Sequence, residues 1–390
     1  MLKQAREIEE KLINWRRDFH MHPELGFQET RTAGCVADTL ESLGLRVRRG
    51  VGRTGVIGEL GEGPSTIAIR ADMDALPIQE ANDIDYASQV PGVMHACGHD
   101  AHTAIALGVA TLLSKVEFPG TVRFLFQPAE EVGDDEGISG APRMVADDAM
   151  EGVDMVLALH VDSDTSVGNI QLDSGPSSGG VDSFFASIIG KGGHGASPHK
   201  TVDPFFITSH VIQALYGITS RRLNPFAPAV VSIGSIHGGG AENVIPERLE
   251  MSGTIRFMEK KVQQEIHTEI ERAFKIAPVL GGDYKLKIEI GSLPIINDQR
   301  VVDLLTSVIT DLLGDEHILP PEKSLGAEDF GSFSELAPGA MFMLGCKIEE
   351  DVRTPHHPRF DIDERCLSIG TSILTEAALR FLRNDHLKFK

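Results

Sequence analysis

Residues 95–102 read HACGHDAH and place three histidines and one cysteine within eight positions. Gly98 stands between Cys97 and His99, which lets both side chains converge on one point. A thiolate and an imidazole together suit zinc or another late divalent metal. The segment predicts metal ligands at Cys97 and His99, and a polar loop of capping and packing residues is the alternative interpretation.

Two adjacent carboxylates, Glu130 and Glu131, follow the apolar run at residues 121–127. The ends of strands in α/β sheets are where active sites are commonly built. Two neighbouring carboxylates at such a place repel each other unless a cation is present. We therefore expect one glutamate to bind a metal and the other to move protons, with an ordinary solvated turn as the alternative.

Further histidines lie elsewhere in the chain. His160 closes the apolar run at residues 155–160, and the pair His356 and His357 stands between two prolines. A single histidine after a strand is often a core residue, and a proline-flanked pair fits a surface turn as well as a ligand loop. Combined with the cysteine and the glutamates, these residues are sufficient for a two-metal site.

The elements that must position these residues form two patterns. Strands alternate with helices in the first half, which predicts an α/β fold with a sheet layered by helices. The predicted elements are strands at residues 54–60, 65–76, 121–127 and 155–160 and a helix at residues 101–115. From residue 182 to residue 290 the order becomes β-α-β-β-α-β, which is typical of a ferredoxin-like α+β domain. We expect residues 1–179 and 292–390 to form one catalytic domain, interrupted by a small domain at residues 180–291.

Composition excludes several classes of protein. A formal net charge of −21 over 390 residues is unsuited to nucleic acid, whose phosphates require basic partners. We find neither an apolar run long enough to span a membrane nor the features of a signal peptide. The four cysteines are far apart, which is typical of a reducing compartment and favours a cytoplasmic protein.

Several segments together resemble the M20 family of metallopeptidases and amidohydrolases, in its aminoacylase-like branch. That branch includes hippurate hydrolases, auxin-conjugate hydrolases and acetyl-diaminopimelate deacetylases. The matching segments occur in the family's order over nearly the whole chain. They are residues 16–24 (RRDFHMHPE), 70–77 (RADMDALP), 95–102 (HACGHDAH), 128–131 (PAEE), 192–199 (GGHGASPH), 243–246 (NVIP), 253–256 (GTIR) and 326–330 (GAEDF).

The resemblance implies a zinc-peptidase-like catalytic domain that holds two divalent ions, Zn²⁺ or Mn²⁺, with Co²⁺ or Ni²⁺ as alternatives. Glu130 becomes the general base, and Cys97 is a candidate to bridge the ions. The family has one C-terminal ligand histidine, which matches His356, although His357 beside it leaves the choice open. The implied metal ligands are Cys97, His99, Glu131, His160 and His356.

In the inserted domain, His194, Asn243 and Arg256 match residues that hold the substrate's carbonyl or carboxylate. Related enzymes dimerise through this domain, and some bring such a histidine into the partner's active site. The resemblance therefore implies a homodimer or a higher homo-oligomer, and whether His194 acts within its own chain stays open.

Three aspartates are assigned to support the ligands. Asp72 and Asp74 match positions where other branches of the family carry a metal-binding histidine and its orienting aspartate. We expect both to hold ligand side chains in place instead of binding metal. Asp100 is assigned the same role, with capping of the following helix as the alternative.

The implied activity is metal-dependent hydrolysis of the amide bond of N-acyl amino acids by a metal-activated water. The first alternative is a dipeptidase or carboxypeptidase on the same scaffold; Cys97 disfavours it, because the peptidase branches usually carry aspartate near the bridging position. The second alternative is a non-catalytic relic that binds a metal or ligand, but no ligand or base is missing. The acyl group, the amino acid and the metal stay open.

Overall fold

The computed structural model describes residues 1–321, 323–348 and 353–383 and divides into two compact units. The first unit contains Met1–Ser177, Ile296–Glu322 and Asp329–Lys390, and the second contains Ser178–Ile295 and Lys323–Glu328. The sequence interpretation had placed residues 323–328 in the last catalytic part. They belong to the second unit because Gly179 donates its N–H to the carbonyl of Gly326 at 2.8 Å.

The first unit is built on an eight-stranded mixed sheet. In spatial order its strands are Arg46–Val51, Gly55–Glu62, Gly120–Gln127, Thr66–Asp72, Met155–Ser166, Gly339–Lys347, Ile170–Gln171 and Ile318–Leu319. From the third to the sixth, the strands run parallel to one another. Their carboxyl ends therefore lie at one edge of the sheet, which is where α/β folds place their sites.

The strand that carries His160 is longer than predicted. It extends over Met155–Ser166, so His160 lies within the strand instead of closing it. The register explains the extension, because the neighbouring strand Gly339–Lys347 pairs Met343 with His160 and continues to pair Lys347 with Ser166.

Helices cover this sheet, and His99–Leu113 is buried at every position. It begins two residues earlier than predicted, directly after Gly98, whose φ is +90°. A Cβ at Gly98 would lie 2.2 Å from Cγ2 of Val161, so only glycine fits. The helices of the first unit are Leu2–Glu7, Glu9–Met21, Thr30–Ser42, His99–Leu113, Gly140–Ala146, Gln299–Leu312, Gly331–Ser334 and Cys366–Arg383, with a 3₁₀ turn at Asp315–His317.

The second unit has a four-stranded antiparallel sheet with the strand order of a ferredoxin-like domain. Its strands are, in spatial order, Ala229–His237, Arg248–Phe257, Gly180–Ile189 and Asp283–Ile290. Its helices are Pro204–Gly217, Lys260–Phe274 and Ile276–Val279, with short helical turns at Pro198–Lys200 and Ile218–Arg222. Two small strand pairs complete the described structure, Gly193–His194 with Val244–Ile245 and Gly175–Ser178 with Ile295–Asn297. The predicted fold class, a mixed α/β sheet with an α+β insertion, is confirmed.

Within the described residues, no helix combines the length and apolar character that crossing a membrane requires. All four cysteines are free thiols, and Cys346 and Cys366 are buried.

Two glycines in helices of the first unit should respond oppositely to alanine. A Cβ at Gly34 meets no atom within 4 Å, whereas one at Gly108 would lie 2.5 Å from Cδ2 of Leu12 and 2.9 Å from Oγ1 of Thr371. Gly34→Ala should raise the free energy of unfolding by about 0.5–1 kcal/mol through helix propensity. Gly108→Ala should lower it by about 1–3 kcal/mol through overpacking. Urea unfolding followed by circular dichroism measures both. A Gly108→Ala protein as stable as the wild type would contradict the packing described there, and a destabilised Gly34→Ala would contradict the open space at Gly34.

Candidate metal centre

The predicted ligands and base form one cluster in the first unit. Three groups each place their metal-binding atoms within 4.8 Å of one another, and they share members. The groups are Cys97 with His99 and His160, Cys97 with Glu131 and His356, and His99 with Glu130 and Glu131. Four segments that are far apart in the sequence therefore contribute to a single constellation.

His99 is oriented by a hydrogen bond on one side of its ring. Its Nδ1 lies 2.9 Å from the backbone carbonyl oxygen of Asp74 and 3.1 Å from Oδ1 of the same residue. These acceptors hold the ring proton on Nδ1. The other nitrogen, Nε2, is buried and has no hydrogen-bond partner among the described residues. A buried nitrogen without a partner is costly, and a bound cation would remove that cost.

Asp74 links this histidine to the glutamate turn. Its Oδ2 accepts the backbone N–H of Glu131 at 3.0 Å while Oδ1 faces His99. Asp74 is buried. One carboxylate thus sets the relative position of two predicted ligands, as the outer partners of metal ligands commonly do.

Asp72 has both oxygens engaged by cationic or N–H groups. Oδ1 accepts from Nδ1 of His102 at 2.6 Å, and Oδ2 accepts from Arg70 at 2.6 Å. Burial by itself raises the pKa of Asp72, but Arg70, His99 and His102 hold it well below its usual range. Asp72 is therefore an ionised hydrogen-bond acceptor that supports its neighbours.

His102 lies near this cluster but has no free nitrogen for a metal. Its Nδ1 donates to Asp72, and its Nε2 accepts the backbone N–H of Val161 at 2.9 Å. The group formed by Asp72, His99 and His102 has the spacing of a metal site. Because both nitrogens of His102 are engaged in hydrogen bonds, we do not assign this group as a metal site.

His160 and Cys97 face each other, with 3.4 Å between Nε2 and Sγ. Nδ1 of His160 donates to the carbonyl of Val161 at 2.8 Å, which leaves Nε2 directed at the cysteine. Burial raises the pKa of the Cys97 thiol, so the thiol stays protonated in the metal-free protein. A divalent cation would stabilise the thiolate, and the mixture of thiolate, imidazole and carboxylate donors fits zinc or a similar ion.

His356, and not its neighbour, reaches the cluster. Its Nε2 lies 3.1 Å from Oε1 of Glu131, and the proximity of this carboxylate raises the pKa of His356. The backbone has a φ of +62°, and the N–H donates to the carbonyl of Ala96 at 2.7 Å. His357 instead accepts the N–H of Arg359 on Nδ1 at 3.1 Å and is exposed. Left-handed backbone at a residue other than glycine is strained and concentrates at functional sites.

Asp100 lies behind the cluster in a buried ion-pair network. Its Oδ2 accepts from Nε of Arg16 at 2.9 Å and lies 2.8 Å from Nδ1 of His20. Arg16 also donates to Asp361 at 2.8 Å. Burial raises the pKa of Asp100, but Arg16 and His20 outweigh it and keep the carboxylate ionised. The network anchors the start of helix His99–Leu113 and gives His20 a structural role.

In the second unit, His194 and Asn243 are neighbours in a small antiparallel pair. His194 pairs with Val244, and the N–H of Gly195 donates to the carbonyl of Asn243 at 2.8 Å. The N–H of Ala196 donates to Nδ1 of His194 at 3.0 Å. Its ring proton is therefore on Nε2, and the exposed side chain can donate a hydrogen bond.

Arg256 is a half-buried cation in strand Arg248–Phe257. Its guanidinium makes no side-chain hydrogen bond or ion pair with any residue that the structure describes, and burial lowers its pKa. Arg248 on the same strand pairs with Glu250. A partly desolvated guanidinium that lacks an anion is suited to bind one.

Glu29 is a buried residue that the sequence interpretation missed. Its Oε1 accepts the N–H of Ala129 at 2.8 Å, and its Oε2 accepts the hydroxyl of Thr54 at 2.5 Å. Burial raises the pKa of Glu29 to about 7. Nothing in the local pattern around residue 29 distinguishes it from an exposed glutamate near the start of a helix, so only the tertiary contacts reveal it.

Comparisons with known proteins find similar proteins over nearly the whole chain. The pattern of Peptidase family M20/M25/M40 matches residues 68–380. The chain is 40% identical to thermostable carboxypeptidase 2 of Saccharolobus solfataricus, covering 97% of each protein. It is 36% identical to N-acetyl-L-cysteine deacetylase of Bacillus subtilis, covering 97% of this chain and 90% of that protein. A Bacillus subtilis crystal structure described as a dinuclear metal-binding peptidase of the M20 family has a TM-score of 0.84 and 35% identity, covering 97% of this chain and 99% of the other.

The raised pKa of Glu29 predicts a specific pH dependence of stability. The folded protein keeps the proton up to about pH 7, whereas an unfolded glutamate releases it near pH 4.3. Between these values the folded state binds more protons, so this contribution to stability is present at low pH and is lost as pH rises through about 7. Glu29→Gln keeps a neutral group at every pH and should remove the effect.

The measurement is urea unfolding of the metal-free wild type and Glu29→Gln at about pH 5 and about pH 8. From the lower to the higher pH, the free energy of unfolding of the wild type should fall by up to ~3 kcal/mol relative to that of the variant. Other titrating groups cancel in this difference. A difference that does not change with pH would show that Glu29 is ionised throughout.

Proposed function

The chain belongs to peptidase family M20/M25/M40, and on that premise we propose that it hydrolyses the amide bond of N-acyl amino acids with the help of bound metal ions. The observation that carries the proposal is the cluster of Cys97, His99, Glu130, Glu131 and His160, joined by His356. Its donors suit divalent cations, and one carboxylate is left for proton transfer.

The relatives support amide hydrolysis as the reaction, and their names suggest two classes of substrate. The name of the deacetylase describes removal of an acetyl group from an amino acid, whereas the name of the carboxypeptidase describes cleavage of a peptide. Cys97 favours the first class, because the peptidase branches usually carry aspartate near the bridging position. Carboxypeptidase or dipeptidase activity is the second candidate.

We assign Cys97, His99, Glu131, His160 and His356 to hold two divalent ions, Zn²⁺ or Mn²⁺, with Co²⁺ or Ni²⁺ as alternatives. Bound cations of this kind polarise the scissile carbonyl and lower the pKa of a water molecule. The orientation of His99 by Asp74 and the contact between His356 and Glu131 support this assignment. His356 is preferred to His357 because only His356 contacts another member of the cluster.

Glu130 is assigned the proton transfers. It takes a proton from the attacking water and passes it to the leaving nitrogen, which is general acid–base catalysis by one carboxylate. The assignment is supported by the position of Glu130 next to Glu131 and close to His99. Asp74 and Asp72 act on the reaction only through the ligands that they orient.

The second unit is assigned as the substrate-binding lid. Nε2 of His194 donates to the oxyanion that develops on the carbonyl oxygen, a preorganised electrostatic contribution. Arg256 and Asn243 bind the carboxylate of the amino acid, and the planar guanidinium suits a bidentate contact. We further propose a homodimer or higher oligomer formed through this unit, in which His194 serves its own chain or its partner's. The four free cysteines support a reducing, cytoplasmic location.

Metal removal and return test the proposed function. Chelator-treated protein should be inactive, and Zn²⁺, Mn²⁺, Co²⁺ or Ni²⁺ added separately should restore amine release from acetyl-, benzoyl- or indoleacetyl-amino acids. Glu130→Gln should keep the metal content and lower kcat by about 10²–10⁴-fold, while Glu151→Gln, at an exposed position, serves as the control. Restored activity on dipeptides alone would favour the peptidase. Bound metal without any hydrolysis would favour the non-catalytic relic.

Arg256 should determine recognition of the substrate's carboxylate. Arg256→Met should lower kcat/KM by about 10- to 100-fold for an N-acyl amino acid, because one charged hydrogen-bonding contact is lost. It should have little effect on the matching N-acyl amine, which has no carboxylate. Arg248→Met on the same strand is the control. Equal losses on both substrates would assign Arg256 a structural role.

A further inference from the structure

The turn at residues 128–131 is held in a conformation that its sequence disfavours. Ala129 has a φ of +44°, and a residue with a Cβ is strained there. Its N–H donates to Glu29 at 2.8 Å, and its carbonyl accepts the N–H of Gly140 at 2.8 Å. One residue after Glu130, the N–H of Glu131 donates to Asp74. Surrounding contacts therefore impose the conformation of this turn.

The carboxyl group of Glu29 serves the turn and not its own helix. Glu29 stands directly before helix Thr30–Ser42, but its side chain makes no capping hydrogen bond to that helix. Glu24 does so instead, accepting the N–H of Arg31 at 2.9 Å and that of Thr32 at 2.8 Å. Glu29 is fully buried, and both oxygens are directed at Ala129 and Thr54. Burying a carboxyl group is costly, so a purely apolar residue would suit a packing role better.

Gly26 in the same segment touches the turn from another direction. A Cβ at this position would lie 2.5 Å from Cγ2 of Val132 and 3.2 Å from Cα of Ala129. The backbone of the segment is therefore packed directly against the turn. Residues 26–29 define the position of the turn by close contact and by a hydrogen bond.

We propose that Glu29 is a positioning residue that holds Glu130 and Glu131 in place through the N–H of Ala129, and thereby determines how tightly the cluster binds a divalent cation. The proposal rests on the proposed function for the roles of the two glutamates. The raised pKa of Glu29 agrees with it, because a neutral carboxyl group still accepts the N–H of Ala129.

The test compares four variants of the full chain. Glu29→Ala removes the acceptor, Glu29→Gln retains an amide oxygen for the N–H of Ala129, and Gly26→Ala displaces the turn by contact. Glu24→Ala is the matched control, because it removes the cap of the same helix and does not reach the turn. Each protein is stripped with chelator and titrated with Co²⁺ by absorbance, and its melting temperature, kcat and KM are measured.

Glu29→Ala and Gly26→Ala should each weaken Co²⁺ binding by about tenfold or more and lower kcat by a similar factor, with KM changing little. Glu29→Gln should stay within about threefold of the wild type in Co²⁺ affinity. Glu24→Ala should lower the melting temperature and leave Co²⁺ affinity and kcat unchanged.

Normal Co²⁺ affinity in Glu29→Ala, with a melting temperature lowered as in Glu24→Ala, would overturn the proposal. If Glu29→Ala does not fold, unchanged Co²⁺ binding in Gly26→Ala would overturn it equally. A wild type that binds Co²⁺ but hydrolyses no amide would refute the proposed function alone, because the Co²⁺ titration still reports on the positioning of the turn.

Discussion

The buried ion pairs of Arg70 are the interaction on which the candidate metal centre depends. Arg70 lies near the carboxyl end of strand Thr66–Asp72, where it pairs with Asp72 and Asp329 and donates to Gln127 at 2.7 Å. Carboxylates in so buried a position would otherwise become protonated, because burial disfavours their charge. Arg70 keeps Asp72 ionised, and Asp72 in turn holds His102 in the first turn of helix His99–Leu113. Removing one partner from such a group leaves an uncompensated buried charge.

Arg16 likewise stabilises a buried carboxylate, that of Asp100 in the helix that carries His99. It is completely buried and joins Asp100 to Asp361, so helix Glu9–Met21, helix His99–Leu113 and the segment after His356 are tied to one cation. The two arginines explain how the first unit can bury so many ionisable groups. The two guanidinium groups stabilise the buried carboxylates of Asp100 and Asp72. The thiol, imidazole and carboxylate groups of the cluster itself then remain as donors for a metal ion.

The second unit has a different electrostatic character at its predicted binding residues. His194 presents a proton on Nε2, and Arg256 lacks an anion among the described residues. Both groups can donate hydrogen bonds to a negatively charged or developing anionic oxygen. The first unit thus contains the groups that suit cations, and the second contains groups that suit the oxygens of an acyl amino acid. This division of chemistry agrees with the substrate class that we propose.

The residue types of the candidate cluster and the order of the elements around it could be predicted from the amino-acid sequence alone. Gly98 between Cys97 and His99, and adjacent glutamates after an apolar strand, are local patterns, and local patterns are readable without a structure. Three features became visible only in the folded chain. His160 lies within its strand, His356 and not His357 reaches Glu131, and Glu29 holds the turn at Ala129. These outcomes depend on strand register, on backbone with positive φ and on hydrogen bonds between residues such as Glu29 and Ala129, 100 positions apart in sequence. Contacts over such distances arise from packing of the whole unit, which no local pattern of residue types encodes.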